Sequence, residues 1–461
     1  MVRRGLLVLV PLLCGAVPRP AEWVPVRWPW ADEASLELLT GTPANCLLLK
    51  DYPAPFVKAA ADKGLVTLAV LTPGGDVVAA TRQALDAKVT GIVLQGDFAE
   101  GTAPAVRAAA NGAPVIELTS RSRMALASTA PILGTYQGVW PGIGVQDNGE
   151  HKAGPTGSTW IDTNTGFIRA ARAWGNASLW IANEPPPQTA VTGPRYLQVI
   201  ADAAISGARW VVAFDADFAS RLHRREAPAL GNWKRMSDLL RYFERHPEWR
   251  DMQEYGKLAV VQDPAKGGLL SGGILDMIAV KHTPVRPIPQ QHLTPESLQG
   301  STMAVNVEGD ALTPEEKDVL RRFAQSGGTL LTAPPGWKDE SPQGNRITLE
   351  KQQVDRLNDI WKEVNSMVGR RNLGVKLYNV ATMLSNVVAS PDGKIEVVQL
   401  VNYSDYPVDD ITMHFLGNFK RAVLTTPDGI EKTLPIYSVE EEGFGVDIDK
   451  VNVCATMRLE Q

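Results

Sequence analysis

Between residues 23 and 250 the chain repeats one unit, a short apolar run of strand length followed by an Ala/Leu-rich stretch with helical spacing. Such alternation implies parallel strands joined by crossover helices. The runs are Trp23 to Trp28, Asn45 to Lys50, Leu65 to Leu71, Thr90 to Gln95, Ala113 to Leu118, Pro131 to Gln137, Ser178 to Asn183 and Arg209 to Phe214. A closed (β/α)8 TIM barrel requires that number of strands. Strands buried on both faces carry continuous apolar runs, as do Leu47-Leu48-Leu49, Ile92-Val93-Leu94 and Trp210-Val211-Val212. Pro25 interrupts the first run, and Ser158 to Ile161 offers a competing strand that would shift the count by one.

The texture changes twice beyond this barrel, assigned to 23–253. Residues 254–345 read as a flavodoxin-like α/β unit with strands at Lys257 to Gln262, Val285 to Ile288, Thr302 to Val307 and Thr329 to Ala333, and a helix at Leu269 to Val280. Thr313-Pro314-Glu315-Glu316 predicts a helix start, with Thr as cap, Pro at the first helical position and Glu closing a capping box. The Lys266 to Gly273 stretch lacks the GK[ST] ending of a phosphate loop and reads as a turn, so no cofactor is expected. The unit has no cysteine, which excludes Cys-His amidotransferase chemistry. A helical connector, 346–372, carries Val354, Leu357, Trp361, Val364 and Met367 as one stripe, and 373–461 reads as an antiparallel β-sandwich. Within it, Ser390-Pro391-Asp392-Gly393 and Pro427-Asp428-Gly429 are hairpin turns.

Charge narrows the partners. A net charge of -5, with no cluster of Lys and Arg, argues against nucleic acid. Cys46 and Cys454 lie in apolar strands of different domains and read as core residues, and the six histidines are scattered without ligand spacing, so no metal is expected. Arg3 and Arg4 before apolar Gly5 to Leu13, then Cys14-Gly15-Ala16, fit a signal peptide over 1–16 and predict export to the periplasm or beyond. A lipid anchor at Cys14 would need a small residue where Leu13 stands, and no run is long enough to span a membrane.

The domain order resembles that of bacterial glycoside hydrolases, in particular family-42-type β-galactosidases and related clan-A enzymes. The stretches that carry the likeness are Trp180-Ile181-Ala182-Asn183-Glu184-Pro185, Leu400-Val401-Asn402-Tyr403-Ser404 and Thr426-Pro427-Asp428-Gly429. The resemblance implies a catalytic barrel, a carbohydrate substrate and homo-oligomer contacts through the flavodoxin-like domain. In that clan an Asn-Glu pair marks the acid/base after the fourth strand. In this chain the pair ends the seventh run, the clan's nucleophile position, and Asp97 ends the fourth.

Glycoside hydrolysis needs two carboxyl groups across the scissile bond. Strand-end candidates are Asp51, Asp97, Glu184, Asp215 and Asp217, with Glu184, Asp97 and Asp215 taken as catalytic candidates. Asn183, Asp162 and Asn164 are candidates for sugar hydroxyls, and Trp30, Trp140, Trp160 and Tyr136 for sugar faces. Each has a structural alternative: Asp97, Asp215, Asp162 and Asn164 as helix caps, any Trp as core, and Glu117 as an inward charge paired with Arg121 or Lys50. Two further readings stay open at this point. One is a secreted barrel that binds carbohydrate, or supports an envelope assembly, without hydrolysis. The other is a nucleotide or phosphosugar enzyme, disfavoured by acidic Asp215-Ala216-Asp217.

Overall fold

The computed structural model describes residues 18–145, 151–153, 164–262, 283–307, 312–332, 351–369, 374–380, 382–439 and 443–461. The leader, the competing strand at Ser158, the 269–280 helix and the Lys266 turn lie outside the described residues.

Eight parallel strands form one sheet in chain order: β1 (Pro25–Arg27), β2 (Cys46–Leu49), β3 (Val66–Leu71), β4 (Gly91–Gln95), β5 (Val115–Thr119), β6 (Ile132–Thr135), β7 (Ser178–Ala182) and β8 (Arg209–Val211). The ends meet. Arg27 N–H donates to Val212 O at 2.8 Å and Val212 N–H to Pro25 O at 3.1 Å, closing the barrel. Every one of the eight apolar runs supplies a strand. Pro25 is tolerated because it opens its strand and needs only its carbonyl for closure.

Side-chain parity then decides what each strand does. Cys46, Leu48, Val66, Leu68, Val93, Ile116, Ile132, Trp180 and Val211 fill the barrel, whereas Leu47, Leu49, Ala69, Ile92, Leu133, Ile181 and Trp210 pack outward under the helices. Gly134 belongs to the inward set, where a Cβ would collide with Leu118. The crossovers include α1 (Ala54–Asp62), α2 (Val77–Asp86), α3 (Thr102–Ala110), α4 (Thr165–Arg172), α5 (Gly193–Ile205), α6 (Ala216–His223) and α7 (Ala227–Glu244). Cys46 and Cys454 are both buried and unbridged.

The second domain is a parallel sheet of β9 (Leu258–Gln262), β10 (Val285–Pro289), β11 (Met303–Asn306) and β12 (Thr329–Thr332) in the order β10-β9-β11-β12. This is a flavodoxin-type arrangement. After the short Glu248–Asp251 helix, α8, comes α9 (Pro314–Gln325), and its capping box forms as expected: Thr313 Oγ1 accepts from Glu316 N–H while Glu316 accepts from Thr313 N–H. Helix α10 (Lys351–Val368) is not a free connector. Its Ile360, Val364 and Val368 pack on Leu258, Val260, Val285 and Met303, and Met367, assigned to the buried stripe, points outward at 47% exposure. The residues between α9 and the sheet, Val319 and Leu320 with Val261 and Ile288, cover the opposite face.

The tail is a β-sandwich of a six-stranded antiparallel sheet, whose edge strand is Gln253–Glu254 from the end of the barrel segment, and a four-stranded one, with Leu377, Met413, Phe415, Val446 and Ile448 meeting Leu400, Ala422, Met457 and Leu459 between them. The strands of its two sheets include Val375–Tyr378, Glu431–Leu434, Tyr437–Val439 and Gly443–Val451. The six-stranded sheet is buried on both faces, since Leu384, Val388, Val397, Val401 and Tyr403 join the outer core of the barrel. Helix α5 fills the gap, and ten of its residues are buried, including Arg195, Gln198 and Asp202. Among the described residues no helix is long and apolar enough to cross a membrane.

Candidate active site

The inward parity continues past the strand ends and aims a set of polar groups at the C-terminal mouth. Arg27 follows Pro25, Lys50 follows Leu48, Tyr136 follows Ile132 and Gly134, and Glu184 follows Trp180 and Ala182. Lys50 Nζ lies 2.8 Å from Glu184 Oε1, and Arg27 Nη1 lies 3.5 Å from the same oxygen. Burial opposes ionisation of Glu184. The Lys50 hydrogen bond and the Arg27 and Lys50 charges outweigh it, so the carboxyl sits below its ordinary range. Burial in turn lowers the Arg27 guanidinium, with the Glu184 charge opposing.

Asp97, after β4, accepts from Ser120 N–H at 2.9 Å and from Tyr136 OH at 3.4 Å. Burial, then the Asp97 charge, pushes the Tyr136 hydroxyl up. In the eight-stranded ring β4 and β7 are three strands apart, so Asp97 and Glu184 come from different walls of the mouth.

Other candidates prove architectural. Asp215 is buried and caps α6, accepting from Phe218 N–H at 2.9 Å, Val191 N–H at 3.1 Å and Tyr196 OH at 2.7 Å; these bonds occupy it and withdraw it from the catalytic set. Trp140, expected as a sugar platform, is 4% exposed and packs edge-on to Trp210 and Tyr196. Asn164 is fully buried in a knot with Arg121, Val139 and Asp202 and cannot meet a sugar. Trp30 is half-buried and stacked with both Phe214 and His223, which already engage its ring. The Asn183 amide donates to Gly138 O at 2.7 Å and so fixes the loop entering the mouth. Glu117 points outward and pairs with Arg107, because its neighbours Ile116 and Leu118 take the inward positions. Trp160 and Asp162 lie outside the described residues.

Arg27 was missed and Lys50 was weighed only as a partner for Glu117. The signal was parity: each sits two residues beyond an inward position. A cavity of about 180 Å³ opens beside β4 and β5, lined by Phe98, Glu100, Glu117 and Arg123 among others. It lies outside the barrel wall, on the Glu117 side, and Glu184 does not line it. Among the described residues no group of three acidic, His or Cys side chains could hold a metal.

A closed parallel barrel followed by an α/β layer and a β-sandwich is a fold shared with solved structures that match the chain over nearly its whole length. They include α-L-fucosidase isoenzyme 2 from Paenibacillus thiaminolyticus, at TM-score 0.63 and 9% identity, covering 93% of this chain and 95% of that one. The GH42 β-galactosidase Gan42B from G. stearothermophilus matches at TM-score 0.53 and 9% identity, covering 93% and 96%. The β-galactosidase from Rahnella sp. matches at 0.52 and 9%, covering 90% and 95%. No family model and no curated protein matches the sequence. At such identity the shared property is the fold, and the mouth stands on its own chemistry.

Proposed function

We propose that the chain is an exported glycoside hydrolase that cleaves glycosidic bonds at the C-terminal mouth of its barrel. The observation that carries this reading is Glu184: a carboxylate at the end of β7, kept ionised between Lys50 and Arg27. An ionised group suits the nucleophile. A Glu184 oxygen attacks the anomeric carbon as the bond to the leaving oxygen breaks, and Asp97, from β4, gives that oxygen its proton. Water, deprotonated by Asp97, then attacks the anomeric carbon and releases Glu184 as a carboxylate. Tyr136 and the Ser120 N–H orient Asp97. Export rests on the Arg3-Arg4, Gly5 to Leu13 pattern, and self-association through the flavodoxin-like domain rests on the resemblance alone.

Glu184→Gln is expected to lower kcat on a chromogenic glycoside by about 10³-fold or more while leaving the circular dichroism spectrum unchanged. Retained turnover removes Glu184 from the mechanism. One observation favours carbohydrate binding without hydrolysis: each Asp97 oxygen already accepts a hydrogen bond from the protein, which leaves one lone pair on each for a proton or a leaving group. Under that reading the wild-type protein binds sugar by calorimetry and turns over no glycoside.

A further inference from the structure

Two cations crowd one carboxylate at the mouth, and the more buried cation is only partly used. Arg27 has a side chain 10% exposed, and its Nε and Nη2 atoms are buried without a hydrogen-bond partner. Those two atoms form the side edge of the guanidinium fork. That edge is closed to solvent, so an arriving anion meets Nη1, the atom that faces Glu184. The acidic group whose charge reaches Arg27 is Glu184.

That partner is lost during the reaction proposed above. Whether Glu184 forms an ester with the anomeric carbon or takes a proton from water, its negative charge disappears. Arg27, largely out of solvent, and Lys50 then face a neutral group. A neutral sugar leaves them so. A sugar with its own carboxylate replaces the missing charge at the stage where it is needed, so the interaction strengthens along the reaction path, which is the kind of contact that raises rate as well as affinity. A carboxylate also forms a stronger, charge-assisted bond to a guanidinium N–H than a hydroxyl does.

We propose that the barrel mouth selects glycosides of hexuronic acids, with Lys50 and Arg27 receiving the sugar carboxylate. Lys50, 67% exposed, is the group the anion meets first. Arg27 is the second, reached from the side where its Nη1 already lies 3.5 Å from Glu184. The inference rests on the mouth being the substrate site, and it deepens that reading by naming the substrate class.

The test uses the full chain with 4-nitrophenyl glucuronides and galacturonides of both anomeric forms, the matching glucosides and galactosides, and calorimetric titration with free D-glucuronate, D-galacturonate, D-glucose and D-galactose. The expected result is a kcat/KM for a uronide at least about 100-fold above that for its neutral counterpart, because a site built for a polar group strongly rejects the analogue lacking it. Lys50→Met should cut that ratio at least about tenfold, and Arg27→Met should cut it further. Since Arg27 is buried, Lys50→Met carries the decision if Arg27→Met does not fold. Preference for neutral glycosides, or a ratio unchanged in Lys50→Met, overturns the inference while the hydrolase reading stands. Binding of a free uronate that is lost in Lys50→Met, with no glycoside turned over, supports the inference while the hydrolase reading falls. Neither turnover nor uronate binding overturns the inference as well.

Discussion

The barrel mouth and the α5 face that meets the β-sandwich are both lined with polar and charged side chains, yet they treat them in opposite ways. On the α5 face the groups answer one another. Arg195 donates to Tyr403 O at 2.7 Å, Gln198 to Ser404 O at 2.8 Å, Tyr403 OH to Asp202 at 2.5 Å, and the Asn164 amide to Asp202 at 2.7 Å. At the mouth, Arg27 keeps an unpartnered edge, and Gln95 Oε1 is buried with no partner. A polar network that closes on itself fixes how two domains sit together, whereas a buried polar group left without a partner calls for another explanation, a ligand among them. The same residue types therefore read as architecture in one place and as a site in the other.

Substitutions can break this contrast or sharpen it. The largest expected effect is Asp202→Ala, which strands Tyr403 OH and the Asn164 amide in the interior and should cost about 3–5 kcal/mol in denaturant unfolding. Tyr403→Phe removes one donor from the same network and should cost about 1–3 kcal/mol. Glu396 is next. Burial pushes this carboxyl up to about 7, against the lowering effect of its Tyr255 hydrogen bond. A group raised in the folded state contributes stability below its unfolded pKa and loses it as pH rises through the folded one, so wild-type stability should fall between about pH 4.5 and pH 7 on this account. Glu396→Gln should therefore gain about 1–2 kcal/mol relative to wild type at pH 8 and nothing at pH 4. Smallest of all is Glu184→Gln, expected to change stability by less than about 1 kcal/mol because the side chain is 44% exposed. A loss there as large as that of Asp202→Ala would show that Glu184 is structural.

The pattern of what was legible has a physical reason. Runs buried on both faces show themselves without long-range information, so all eight barrel strands could be read, as could the Thr313 cap, whose bonds are local. Glu184 was legible because Trp180 to Ala182 is strongly apolar and the charge after it is abrupt. Arg27 was obscured by Pro25, which broke the pattern of the one strand whose parity would have pointed it inward. Asn164 and Trp140 could not be told from site residues locally, because their partners, Asp202 and Trp210, come from distant stretches of chain, whereas the cap that Asp215 forms on Phe218 N–H is local.

The seam at Pro25, Arg27 and Val212 also sets a timetable. The first barrel strand cannot find its final neighbour until about 185 residues later, a delay of roughly ten to forty seconds at ordinary ribosome speeds. Through that interval a guanidinium destined for the interior stays wet, and the ring snaps shut only when the eighth strand is made. A nascent chain halted before residue 209 should thus lack the seam altogether, and with it the grip of Arg27 on Glu184.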